Sequence, residues 1–281
     1  MIFFHLLLVL LFILLIHTYI LPLFKKLILK IKIKYRLRND RYILYFQPII
    51  DPLTNKIISF ETLTRLKNRK GEMIPPISFL DEIVYSEMMP KFDLWVLKNA
   101  LLNYEIIKSY PNMKNTKFHL SINISPKELE NSKFIKKLLN LSNNFEKQSI
   151  CIEITENDTI KDINKIRDSI RILKSAGYLI ALDDFGAQNS NLDLLDTLNF
   201  DILKLDKQFL DNILISKFNQ EILKFVSKMC IIQDRKLIIE GVETIEQKNF
   251  IINILDDNFY FQGFLYSKPI PVDSIKTLNF T

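Results

Sequence analysis

The stretch Ile57-Ile58-Ser59-Phe60-Glu61-Thr62-Leu63-Thr64-Arg65-Leu66 reads as a β-strand that carries a carboxylate and a guanidinium. Side chains alternate along a strand, so Ser59, Glu61, Leu63 and Arg65 share one face. A buried charge costs several kcal/mol unless it is paired or metal-bound. Taken alone, the stretch suits an edge strand with one wet face as well as a functional strand. The other strands decide between the two.

Strand-like runs recur at Tyr42–Ile50, Phe118–Ile124, Ile150–Thr155, Leu179–Asp183, Ile202–Asp206, Lys236–Glu240 and Phe259–Gln262. In Ile150–Thr155 the isoleucines take one face and leave Cys151, Glu153 and Thr155 on the other. Leu120, Ile122 and Ile124 oppose His119, Ser121 and Asn123 in the same way. Leu179, Ala181 and Asp183 align, as do Ile202, Lys204 and Asp206, Ile238 and Glu240, and Tyr45, Gln47 and Ile49. Each strand thus offers an apolar face to covering helices and a polar residue near its C-terminal end on the other face.

The first two runs are separated by Asp51-Pro52-Leu53-Thr54-Asn55, a turn-rich link of hairpin length, which predicts an antiparallel pair. Helical stretches separate the later runs. Ser125-Pro126-Lys127-Glu128 has the form of an N-cap, a first-turn proline and a capping-box glutamate. A helix is predicted over Asp158–Ala176, closed by Gly177, and another opens at Thr244 with Gln247. Eight strands with intervening helices predict an α/β fold, a (β/α)8 TIM-like barrel with an antiparallel first strand. A doubly wound open sheet is the alternative, weakened because no G-x-G-x-x-G follows a strand. In a barrel, chemistry sits at the C-terminal ends of the strands, where these polar residues fall.

The residue types point to hard cations. Glu61, Asn123, Glu153, Asp183, Asp184 and Glu240 all offer oxygen, with no thiolate or imidazole among them, which suits Mg²⁺ or Mn²⁺ rather than zinc. The adjacent Asp183 and Asp184 suit two ions, because neighbouring carboxylates ionise cheaply only with cations between them. Two ions about 4 Å apart are the arrangement for in-line attack of water on a phosphodiester. Lys204 would sit among the carboxylates to orient or help deprotonate that water, and Arg65 could hold a phosphate oxygen or a base edge.

Before the first strand the chain has a different character. Ile2 to Leu23 is almost wholly apolar, long enough to cross a hydrocarbon core of about 30 Å. Lys25, Lys26, Lys30, Lys32, Lys34, Arg36 and Arg38 follow it, with no acidic residue in residues 1–38. These predict a single-pass signal anchor over 1–24 and a basic juxtamembrane segment over 25–38. The rest of the chain, 39–281, is predicted to lie on the cytoplasmic side of the membrane. The basic residues are expected to attract anionic headgroups. A cleaved signal peptide fits less well, for lack of a basic n-region and a small-residue cleavage site.

The formal charge is +6, and removing those seven basic residues leaves one net negative charge on 39–281. That near-neutral remainder excludes a bulk electrostatic footprint for a nucleic-acid polymer. Cys151 and Cys230 lie in apolar patterns and read as buried thiols rather than a disulfide. Three histidines, His5, His17 and His119, exclude a histidine-rich zinc site.

At these residues the chain resembles the EAL-domain family, bacterial cyclic-di-GMP phosphodiesterases, over about residues 36–272. The matching stretches are Y-F-Q-P-I-I-D (45–51), F-E-T-L-T-R-L (60–66), S-I-N-I-S-P (121–126), I-E-I-T-E (152–156), A-L-D-D-F-G (181–186), I-L-K-L-D (202–206), E-G-V-E-T (240–244) and Q-G-F-L-Y-S-K-P (262–269). The resemblance implies a barrel with an antiparallel first strand and the opening of cyclic-di-GMP to linear pGpG. It implies one metal on Glu61, Asn123, Glu153 and Asp183, and a second served by Asp183, Asp184 and Glu240. Lys204 and Glu240 would then act on the water, and Glu156 would anchor the loop after Asp184. Gln47, Arg65, Asp206 and Gln262 match substrate-contact or supporting positions. Thr62 replaces the alanine that names the family, and Ala187-Gln188-Asn189 departs from a glycine-containing loop that couples metal binding to dimerisation in the family. The implied partners are the cyclic dinucleotide, the membrane and a second copy in a homodimer. A cyclic-di-GMP-binding or protein-interaction module without hydrolysis is the competing expectation.

Overall fold

The computed structural model describes residues 2–155, 160–187 and 192–280. They divide into two compact units, one of Met1–Ile43 with Thr64–Trp95 and the other of Leu44–Leu63 with Val96–Thr281. Glu156, Gln188 and Asn189 lie outside the described residues, as does the expected helix start at Asp158.

The first unit begins with a helix in three segments: α1 (Ile2–Leu15), a π turn (Ile16–Ile20) and α2 (Leu21–Arg38). The change of winding has a local cause. Pro22 has no amide hydrogen, so the carbonyl four residues earlier loses its donor. The turn ahead of it relaxes to π geometry, with the Leu21 N–H reaching the Ile16 carbonyl. Phe3–Arg38 contains a window long and apolar enough to cross a membrane, none of it buried against protein.

Strands β1 (Tyr42–Ile50), β2 (Ile57–Lys67) and β3 (Met73–Ile74) follow, then helices α3 (Leu80–Tyr85) and α4 (Met89–Lys108). In this unit β3 pairs antiparallel with Leu66 and Lys67 at the end of β2. The Lys67 N–H also donates to the Arg41 carbonyl at 2.7 Å, tying the exit of the helix to that strand end. Tyr42 meets Phe79 and Phe92 ring to ring, and Ile33 of α2 is fully buried. Four of the seven basic residues are committed to carboxylates of the same unit. Lys26 and Lys30 meet Glu87 at 2.5 and 3.4 Å, and Lys32 and Arg36 each meet Glu82 at 2.8 Å. This narrows the expectation that the whole basic run faces headgroups. Burial alone would raise the Glu82 carboxyl, but Lys32 and Arg36 outweigh it and hold it below its ordinary range.

The second unit is the barrel. Its remaining elements are β4 (His119–Asn123), α5 (Pro126–Leu129), α6 (Ser132–Leu141), β5 (Ile150–Thr155), α7 (Ile163–Ser175), β6 (Leu179–Phe185), α8 (Leu192–Thr197), β7 (Ile202–Leu205), α9 (Lys217–Ile232), β8 (Lys236–Ile239), α10 (Ile245–Ile254), β9 (Phe259–Phe261) and β10 (Ile270–Pro271). From β2 through β4 to β9, neighbouring strands are parallel, and β1 joins antiparallel to β9. A β1–β2 pairing closes the ring of eight, and the Asp51 N–H to Lys56 carbonyl bond fastens the turn between them. The fold is therefore the expected TIM-like barrel, with β3 and β10 as short additions.

The helix signals fared unevenly. Thr244 and Gln247 form a complete capping box. Ser125 stands at its N-cap position but makes no side-chain cap bond, and α5 lasts four residues. Helix α7 starts at Ile163, capped by Asp162, later than the apolar periodicity suggests. Its approach is held off helical geometry because the Glu130 carboxylate accepts the N–H groups of Lys161 and Asp162. Cys151 and Cys230 are buried free thiols, as expected. Inside the barrel, Ile49, Cys151, Ala181, Ile202 and Ile238 pack into a dry plug near the strand N-termini. Glu153, Asp183, Lys204 and Glu240 each follow a residue of that plug by two positions, while His119 and Ser59 pair on its N-terminal side.

Candidate active site

Four barrel strands deliver their inner side chains to one buried ammonium. The Lys204 Nζ lies 2.8 Å from Asp183, 2.9 Å from Glu240, 3.2 Å from Glu153 and 3.9 Å from Glu61. Parallel register aligns β4, β5 and β6 so that Asn123 pairs with Glu153 and Thr155 with Asp183. Asn123 donates to Glu61 at 3.5 Å, at the edge of hydrogen-bond range.

A pair of glutamines supports Glu61. The Gln262 amide donates to Glu61 at 2.5 Å and to the Gln47 oxygen at 3.3 Å. Gln47 in turn donates to the Ser267 carbonyl at 3.2 Å. These two residues are thus engaged in holding the carboxylate. Ser267 is a participant the sequence reading missed, and a backbone acceptor leaves no residue-type signal. Gly263, beside Gln262, sits where a Cβ would collide with the Val242 backbone.

Asp183 and Asp184 would point to opposite faces of a regular strand. The β6–β7 register shifts between Leu182 and Phe185, and Asp184 takes a left-handed φ of 56°. Aspartate tolerates that conformation better than most residues. The bulge brings Asp184 within ligand reach of Asp183 and Glu240, while Glu61, Glu153 and Asp183 form a second oxygen cluster. Asp206 caps the following 3-10 turn, accepting the Gln208 N–H at 2.8 Å. Arg65 belongs to the first unit, where its guanidinium donates to the Thr64 carbonyl at 3.0 Å. The departure at Thr62 is buried, and its hydroxyl has no hydrogen-bond partner.

The electrostatics are those of an under-neutralised cavity. Five carboxylates face one ammonium. Burial opposes the charge on Lys204, yet Asp183, Glu153, Glu240 and Glu61 outweigh it and hold the ammonium well above its usual range. Burial, with Asp183 and Glu61 nearby, pushes Glu240 up to about 8 despite Lys204. Burial and Asp183 push Asp184 up to about 6. Glu153 is wholly buried and raised well above its range, and neither of its oxygens accepts a hydrogen bond. Buried carboxylate oxygens without hydrogen bonds, sharing one ammonium in an all-oxygen set, fit hard divalent cations.

The EAL domain family model matches residues 32–269. This chain belongs to the EAL domain family. Cyclic di-GMP phosphodiesterase PdeA of Borreliella burgdorferi is 34% identical over 84% of the chain, and the match covers 35% of that protein. The probable cyclic di-GMP phosphodiesterase PdeB of Escherichia coli is 27% identical over 84% of the chain and 44% of that protein. The chain therefore spans less than half the length of these relatives. Among solved structures, an EAL domain protein from Listeria monocytogenes superposes with a TM-score of 0.76 at 30% identity, covering 88% of this chain and 96% of that one. An EAL enzyme solved with cAMP and cyclic-di-GMP bound gives a TM-score of 0.81 at 26% identity, covering 90% of this chain and 68% of that one. In this EAL domain the inner-face residues of the quoted motifs, Glu61, Asn123, Glu153, Asp183 and Lys204, all converge at the mouth of one barrel.

Proposed function

We propose that the chain is a membrane-anchored phosphodiesterase that hydrolyses cyclic-di-GMP to linear pGpG. The observation that carries the reading is the buried Lys204 ringed by Glu61, Glu153, Asp183 and Glu240. No structural core requires such a set, whose burial costs several kcal/mol per ion without compensation. Glu61, Asn123, Glu153 and Asp183 would hold one Mg²⁺ or Mn²⁺, and Asp183, Asp184 and Glu240 a second. Bound there, two such ions would supply charge neutralisation for the attacking and leaving oxygens of an in-line displacement.

The chain's own residues do the rest. Lys204 stays protonated and orients the attacking water as a fixed positive charge. Glu240 is a carboxylate whose raised affinity for protons suits it to accept the proton that water gives up. As the water oxygen bonds to phosphorus, the bond to the 3′ oxygen breaks, and the leaving oxygen takes up a proton from solvent water, balancing the one that Glu240 holds. Gln262 and Gln47 keep Glu61 in place, and the apolar plug beneath closes the cavity floor. Arg65, Asp206 and Glu156 keep the substrate-contact and loop-anchor roles that their motifs imply. Residues 1–24 serve as a single-pass anchor in the bacterial inner membrane, 25–38 as the juxtamembrane segment and 39–281 as the cytoplasmic catalytic part.

The full chain in detergent, given Mg²⁺ or Mn²⁺ and cyclic-di-GMP, is expected to release pGpG, while Glu61→Ala under the same conditions is not. Absence of pGpG from the wild type with either metal would overturn the reading.

A further inference from the structure

The first unit contains a groove that the phosphodiester chemistry leaves unused. It has a volume of about 540 Å³ and is lined by His17, Leu21, Pro22, Phe24, Lys25, Ile28, Leu29 and Tyr85. Leu21, Phe24, Ile28 and Tyr85 are each 44 to 60% exposed, an apolar wall left open along the flank of the helix.

Its position follows from the helix. Lys25 is 22 residues beyond Phe3, about 33 Å along the axis, close to the full thickness of a hydrocarbon core of about 30 Å. The groove thus straddles the level where acyl chains give way to headgroups. Tyr85 closes one side of it at that level. Its hydroxyl donates to the Pro22 carbonyl at 3.3 Å, and the Lys25 ammonium lies 5.5 Å from its ring centroid. A tyrosine with an apolar body and a bonded polar tip suits an interface between lipid and water.

Lys25 also differs from its basic neighbours. Lys26, Lys30, Lys32 and Arg36 are held by Glu82 and Glu87. Among the described residues, Lys25 faces a ring and no carboxylate. Lys34 and Arg38 lie about 14 and 20 Å further along the helix, more than a Debye length of about 8–10 Å away. One uncommitted ammonium therefore stands over an apolar trough, which is the chemistry of a headgroup phosphate followed by an acyl chain.

We propose that this groove binds one anionic phospholipid, its phosphate on Lys25 and an acyl chain along Leu21, Phe24 and Ile28 beside Tyr85. This rests on reading the helix as a membrane span. The test reconstitutes the full chain in nanodiscs of phosphatidylcholine mixed with phosphatidylglycerol and counts, by native mass spectrometry, the phosphatidylglycerol retained after release. Lys25→Gln, which alters only an exposed side chain, is expected to lower retention about fivefold, matching the ~1 kcal/mol that one basic residue contributes near an anionic surface. Tyr85→Ala should lower it as well, while Lys34→Gln, an equal loss of charge outside the groove, should not. Equal retention in wild type and Lys25→Gln would overturn the site, as would an equal loss in Lys34→Gln. Resistance to alkaline carbonate extraction tests the span separately. If the chain is extracted, both readings fail; if it resists and retention is insensitive to Lys25, only the groove site fails.

Discussion

At the residue scale, two buried polar groups report on stability. Thr62 carries a buried hydroxyl with no partner to accept or donate. Thr62→Val keeps the shape and the β-branched preference while removing that group. It is expected to raise the free energy of unfolding by about 1 kcal/mol in a urea titration. His119 is the second. Its Nε2 is buried without a hydrogen bond, and burial, reinforced by Lys236, pushes its pKa down to about 3. The unfolded chain then binds the proton first as pH falls, so stability is intact above about 6.5 and is lost between there and about 3. At pH 5 the loss attributable to His119 should be about 2 kcal/mol, read as the difference in pH slope between wild type and His119→Leu. Glu240 works in the opposite sense. Its folded pKa of about 8 lies above the unfolded value, so the metal-free fold gains from it as pH drops through 8. Protons and cations then compete for one carboxylate, and Mn²⁺ affinity measured by calorimetry should weaken steadily from about pH 8 to 6.

At the element scale, β6 shows both how much a sequence can say and where it stops. The alternation rule places Asp183 on the inner face with Ala181 and Leu179, and the structure agrees. The same rule sends Asp184 outward. What brings it back is the register shift and a positive φ of 56°, a backbone property with no residue-level signature beyond aspartate's tolerance for it. Asp184→Asn keeps that tolerance and is expected to leave the thermal midpoint within a degree or two while cutting turnover about a hundredfold or more. Asp184→Val, β-branched in a left-handed site, should lose about 1–3 kcal/mol of stability as well. Gly263 makes the complementary case. The space behind it is filled by Val242 backbone, which no pattern in the sequence reveals. Gly263→Ala must push the β9 end away from Val242, and the first casualty should be the Gln262 bond to Glu61. Its metal affinity is expected to fall more than its folding stability.

At the scale of the whole molecule, the strand order, the hairpin and the polar convergence were readable because each rests on period-two patterning repeated in eight strands. The commitment of the basic run was not. Lys32 and Glu82 are 50 residues apart, and nothing local to either announces the pairing. The consequence is practical. A fragment cut where the charge pattern changes, near Arg38, would discard Ile33, which is fully buried, and orphan Glu82 and Glu87. Such a fragment is expected to unfold at a lower temperature than one that begins near Leu21, by several kcal/mol for Ile33 alone. Differential scanning calorimetry of the two fragments would separate them.

The bond between the Arg41 carbonyl and the Lys67 N–H is small, yet it joins the exit of the helix to a strand end within the first unit. A pull or a tilt imposed on the helix has two exits into the fold, along β1 and through this bond. The second reaches the Leu66–Lys67 tip of β2, the same two residues that pair with β3. The exit of the helix, the tip of β2 and β3 are therefore expected to open together, with the Lys67 amide exchanging its hydrogen at the rate of that whole junction.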